Sequence, residues 1–115
     1  LRHMPKRSAS LDRVFRALAD PTRRAVVERL ARGSRSTLEL AEPFRMALPS
    51  FTQHLDVLTE AGLVRSRKQG RVRRWTLVPE RVETARHWLD AQRDLWNTRL
   101  DQLDAHLLTL KESPR

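Results

Sequence analysis

Apolar residues recur along this chain at spacings that change more than once, and each change predicts a different element. Leu11, Val14, Phe15 and Leu18 stand three or four residues apart, the period of one helical face. That helix stops near Asp20, because Pro21 disfavours helical geometry in the residue before it. Asp20 then suits the N-cap of a second helix, with Pro21 in a first turn that needs no amide donor. This second helix carries Val26, Val27 and Leu30 inward and ends at Gly33. Ser36 or Thr37 caps a short third helix holding Leu38, Leu40 and Ala41, which breaks between Pro43 and Ala47.

A fourth helix has Pro49 in its first turn and ends at Gly62. Phe51, Leu55 and Leu58 fall on one face, while Pro49, Ser50, Gln53, Asp56 and Glu60 point the opposite way. Two β-prone segments follow, residues 63–68 and 71–77, joined through Gln69-Gly70, where glycine supplies the positive φ of a tight hairpin. Pro79 ends the second strand. From residue 80 to 111 the helical period returns: Val82, Leu89, Trp96, Leu103 and Leu110 repeat every seven residues, and Trp88, Leu95, Leu100 and Leu107 widen the line. Such a helix spans on the order of 45 Å, more than a domain this size can cover. Its stripe requires a second surface, most simply the same helix of another copy. Polar Gln92, Arg99 and His106 interrupt the seam, so mixed packing on body and partner is expected rather than a strict coiled coil.

The expected fold is therefore mainly α with a small β-hairpin, in the order α-α-α-α-β-β-α. Residues 1–10 read as a polar, basic, disordered tail, in which Leu1 to His3 have the look of a cloning remnant ahead of Met4. Residues 11–111 read as one domain, with 80–111 as its dimerisation helix.

Composition adds a partner. The 115 residues carry a formal net charge of +9 and a pI near 11.5, which favours an anionic ligand. At 39% hydrophobic residues the body is not a disordered chain. The lack of cysteine excludes disulfides and thiolate metal sites. No apolar run approaches a membrane span, and the first residues lack the apolar middle of a secretion signal, so a soluble, cytoplasmic protein without a membrane partner is expected.

The charge is also placed. Arg65, Arg67, Lys68, Arg71, Arg73 and Arg74 lie within the hairpin, with no acid among them. With the turn at Gln69-Gly70, Lys68 and Arg71 flank the tip and Arg67 and Arg73 stand close behind. Like charges facing across a hairpin destabilise it, and a polyanion would offset that cost. Protecting a sheet edge would need only one or two lysines. Val64 and Trp75 read as anchors of the hairpin to the core. Ahead of it, Ser50, Thr52, Gln53 and His54 occupy the first turns of the fourth helix, the part that enters a major groove in helix-turn-helix docking. Gln53 can pair with adenine through two hydrogen bonds. The alternative for Ser50 is a helix cap, and His54 has equal claims as a contact and as a packing residue. Arg45, in the preceding turn, suits a phosphate.

Here the pattern resembles the ArsR-type winged helix-turn-helix transcriptional repressors, over about residues 11–111. Four pieces carry the resemblance: Phe15-Arg-Ala-Leu-Ala-Asp-Pro-Thr-Arg-Arg24, Leu38-Glu-Leu-Ala41, Ser50-Phe-Thr-Gln-His-Leu-Asp-Val-Leu58 and Glu60-Ala-Gly-Leu-Val64. The resemblance implies a homodimer that binds operator DNA and blocks transcription. Trp88-Leu89 and Leu95-Trp96 resemble the branch without a thiolate sensor. Metal-sensing members carry Cys within the Leu38-to-Phe44 helix, where this chain has none, and Asp104-Ala-His106 matches only half of the terminal-helix metal site of others.

No nucleophile and base stand at a catalytic spacing, and no glycine-rich phosphate loop occurs, so neither an enzyme nor a cofactor is expected. Glu28 and Arg32, four apart, read as a solvated helix surface. The expected function is a homodimeric, sequence-specific DNA-binding repressor, acting on a pseudo-palindromic operator and controlling its own gene among others. The DNA-binding set is Arg45, Ser50, Thr52, Gln53, His54, Arg67, Lys68, Arg71 and Arg73. The dimer set is Leu11, Phe15, Trp88, Leu89, Trp96, Leu100, Leu103 and Leu107. Two readings stay open beside it: a protein-interaction module, and a small-molecule or metal sensor using the terminal helices. The sequence does not define an inducer.

Overall fold

The computed structural model describes residues 6–112, so residues 1–5 of the expected tail lie outside the described residues, while residues 6–10, expected to be disordered, are helical. Its elements are α1 (Lys6–Leu18), α2 (Pro21–Leu30), β1 (Arg35–Ser36), α3 (Thr37–Ala41), α4 (Leu48–Glu60), β2 (Val64–Gln69), β3 (Val72–Leu77) and α5 (Pro79–Glu112). The order is the expected one with a strand added. Helix α1 begins at Lys6, five residues ahead of its first apolar position, because no proline or glycine interrupts residues 6–18.

Caps fix the helix boundaries. Asp20 accepts a hydrogen bond from the Arg23 amide at 3.0 Å, with Pro21 at the head of α2. Ser36 rather than Thr37 caps α3: Glu39 N–H donates to Ser36 Oγ at 3.1 Å, and Ser36 N–H donates to Glu39 Oε1 at 2.7 Å. The end of α4 is a Schellman motif. Gly62 N–H donates to Thr59 O at 2.9 Å and Leu63 N–H to Leu58 O at 3.0 Å, with Gly62 at φ +77°. Leu58 and Leu63 are both fully buried, so the motif also locks the approach of β2 to α4. A side chain at Gly62 would be strained by its φ and would meet Arg81 side-chain atoms at 2.9 Å.

The sheet has three antiparallel strands in the order β1-β3-β2. Sequence reasoning missed β1 because two residues, Arg35 and Ser36, carry no periodicity. The hairpin turn also lies one residue later than expected, so Lys68 faces Arg73 rather than Arg71. Gln69 pairs with Val72, so Gly70-Arg71 forms the turn, with Gly70 at φ +63°. Glycine took the first central position, where positive φ is needed, rather than the second.

The core holds Val14, Ala17, Val26, Leu30, Leu40, Phe51, Leu55, Leu58, Ala61, Leu63, Val64, Trp75 and Ala85. Phe51, Leu55 and Leu58 are fully buried, as the period of α4 required. Truncating one such leucine to alanine typically costs about 2–5 kcal/mol. Trp75 donates from Nε1 to Thr37 Oγ1 at 2.8 Å, which pins β3 to α3. Leu38 is 70% exposed, while Leu40 is fully buried. Two residues along a helix are about 200° apart, so Leu38 and Leu40 cannot share a face.

Packing divides the chain into two units, Leu1–Ala85 and Arg86–Arg115, within the span 11–111 expected to be one domain. The second contains the remainder of α5. No helix among the described residues is long and apolar enough to cross a membrane.

Candidate nucleic-acid interface

Helix α4 presents two unlike faces, as its sequence demands. Opposite the buried Phe51, Leu55 and Leu58, the residues Pro49, Ser50, Gln53, Asp56 and Glu60 are all exposed. Ser50 and Gln53 therefore stand where sequence reasoning placed them. Thr52 lies on the flank; its hydroxyl donates to Pro49 O at 2.9 Å and keeps lone pairs free to accept. Arg45 is exposed in the turn before α4.

His54 is different. Its Nδ1 lies 3.1 Å from Arg23 Nη1 and 3.8 Å from Asp20 Oδ2. The ring is thus engaged through Nδ1 by the start of α2. The same Arg23 donates from Nε to Ala17 O at 2.7 Å and from Nη2 to Arg16 O at 3.2 Å. One guanidinium therefore satisfies two C-terminal carbonyls of α1 and holds the reading helix. Burial works to raise the Asp20 carboxyl, but the Arg23 amide and the neighbouring His54 and Arg23 outweigh it and leave Asp20 below its ordinary value. Sequence reasoning found the cap and missed this cluster, since residues 31 apart give no local signal.

Strand alternation sorts the wing cations onto two faces. Val64, Ser66 and Lys68 share one face with Leu77, Trp75 and Arg73, and the buried Val64 and Trp75 show that it turns toward the core. Lys68 and Arg73 extend this face beyond the core, directly opposite each other. Arg73 donates from Nη1 to Ser66 Oγ at 2.8 Å. Between this face and α4 runs a groove of about 320 Å³ lined by Thr52, Asp56, Thr59, Ser66 and Arg73. Arg65, Arg67 and Arg74 lie on the opposite face, with Arg67 across from Arg74. Arg67 and Arg73, both close behind the tip, lie on opposite faces of the sheet. Arg74 is held by Ser34 O and Oγ at 3.3 Å and lies 3.9 Å from Glu39. The Ser36 amide, opposed by partial burial, holds the Glu39 carboxyl below its usual range. Arg71 occupies the turn itself and is exposed.

In the second unit Trp88, Leu89, Leu95, Trp96, Leu100, Leu103, Leu107, Leu108 and Leu110 are exposed, between 39% and 65% of their surface. Leu11 and Phe15 of α1 are half-buried and pack against the core of the first unit.

The chain is similar to known regulators over this same region. A family model described as a helix-turn-helix domain matches residues 18–67. HTH-type transcriptional regulator Rv2034 of Mycobacterium tuberculosis is 46% identical over 81 residues, spanning 70% of this chain and 76% of the relative. Transcriptional repressor SdpR of Bacillus subtilis is 28% identical over 79 residues, 69% of this chain and 88% of the relative. Among solved structures, an ArsR family transcriptional regulator, RHA00566, superposes with a TM-score of 0.73 at 49% identity, covering 76% of this chain and 97% of that one.

Proposed function

This chain belongs to the ArsR family of helix-turn-helix transcriptional regulators, and from that membership we propose that it acts as a homodimeric repressor of a pseudo-palindromic operator. It is a DNA-binding transcriptional regulator and not an enzyme. The observation that carries the finer reading is the pairing of an exposed polar face on α4 with a basic hairpin locked to the end of that helix through Gly62 and Leu63. Ser50, Thr52 and Gln53 face base edges and nearby phosphates, with Arg45 on a phosphate beside them. Lys68, Arg71 and Arg73 grip the flanking backbone, and Arg67 reaches it from the other side of the hairpin. His54 serves through position, by holding α4 to α2.

The exposed stripe on residues 86–112 supports the dimer. A chain that leaves two tryptophans and seven leucines exposed along one helix has an apolar surface typical of an association site. A second copy of that helix is the simplest cover, with Trp88, Leu89, Trp96, Leu100, Leu103 and Leu107 at its seam. Leu11 and Phe15 of α1, both half-buried, complete the proposed dimer set. Two copies of α4 then enter successive major grooves about 34 Å apart. Occupancy of the operator excludes RNA polymerase, including at the protein's own promoter.

Footprinting on DNA upstream of its own gene tests this reading. A protected, two-fold symmetric site is expected. Protection that is absent or indifferent to sequence would contradict it.

A further inference from the structure

Asp56 is the anomaly of the reading face. It is exposed on the outward side of α4, beside Gln53, on a surface that meets a polyanion if the operator reading above is right, and this inference rests on that reading. A carboxylate there is repelled by phosphate, and nothing in its surroundings offsets the repulsion. Its helical neighbours three and four residues away are Thr52, Gln53, Thr59 and Glu60, none of them a cation and one a like charge. It forms no ion pair among the described residues. Arg73 lines the same groove but turns its guanidinium to Ser66.

An ionised carboxylate only accepts hydrogen bonds. In the major groove the donors are the exocyclic amines, N4 of cytosine and N6 of adenine, and guanine and thymine offer oxygen acceptors instead. Adenine also sets its N7 acceptor beside N6, where it repels a carboxylate, whereas cytosine offers the amine without that neighbour. We propose that Asp56 is a specificity-determining residue that reads a cytosine in each half-site, next to the base read by Gln53. The spacing fits, because residues three apart on a helix present neighbouring side chains about 5–6 Å apart. Its repulsion of phosphate at all other positions makes it a brake on non-specific binding as well.

The test is selection of duplexes from a random library by the full chain, by D56A and by D56N, each checked for an unchanged thermal melt. Affinity for a random-sequence duplex is measured alongside. Wild type is expected to select cytosine at one column of each half-site. D56A should lose that preference by about tenfold while its affinity for random duplex rises. D56N, which can donate and accept, should move the column toward adenine. A column unchanged in D56A, or adenine selected by the wild type, would overturn the inference while leaving the operator reading intact. A wild type that selects no sequence would overturn both.

Discussion

Arg23 Nη1 sits 3.1 Å from His54 Nδ1, across 31 residues of sequence. A guanidinium can only donate, so the imidazole Nδ1 accepts, and the ring proton of a neutral His54 belongs on Nε2. The bond places a residue of the reading helix under the control of α1 and α2, the elements that form the body of the first unit.

Removing that control should loosen α4 without touching the exposed face. Arg23→Met deletes the bonds to Ala17 O, Arg16 O and His54, and should destabilise the fold by about 1–3 kcal/mol in urea unfolding. Arg23→Lys should recover only part of this, because a point charge cannot serve three acceptors spread across a planar fork.

Asp20 links the cluster to pH. Its carboxyl titrates lower in the folded protein than in the unfolded chain. Its contribution is therefore complete above the ordinary carboxylate range and is lost as the pH falls through the depressed folded value. Asp20→Asn keeps a good N-cap and removes only the charge. The stability gap between the two proteins should be under about 1 kcal/mol at neutral pH, since the site is partly exposed, and should close in acid. Urea unfolding across pH 2–7 reads it out.

The wing and the helix should fail differently. Lys68→Ala with Arg71→Ala should weaken binding to all sequences alike and lower the salt slope by about 0.9 for each phosphate that is no longer neutralised. Gln53→Ala should cost roughly 1–3 kcal/mol on the operator and relax one column of its sequence. Titrations on operator and random duplex at several salt concentrations separate the two, and equal losses for Gln53→Ala on both duplexes would remove it from the readout.

The terminal stripe should be separable from the fold of the first unit. Replacing Leu89 and Trp96, 51% and 63% exposed, with glutamate places charge in the proposed seam. Sedimentation velocity should then show a monomer, with the first unit still folded. A dimer that survives both changes would put the seam elsewhere.

Much of this was legible in the chain because it is written in local chemistry. Asp20-Pro21, Pro49 and Gly62 mark helix ends by what their backbones can and cannot do, and the period of α4 sorted Phe51 from Gln53. The misses have equally local causes. A strand of two residues has no period, and a glycine within a hairpin can fill either turn position, which moved the turn on by one residue and set Lys68 opposite Arg73 rather than Arg71. His54 could not be resolved from sequence, because its partners are brought to it by tertiary folding alone.

The central claim is that two copies of α4 read one site in fixed register on the same side of the duplex. Inserting five base pairs between the selected half-sites turns one half-site by about half a helical turn. Binding should fall at least tenfold at five inserted pairs and recover in part at ten. Affinity that ignores the spacing would contradict the claim.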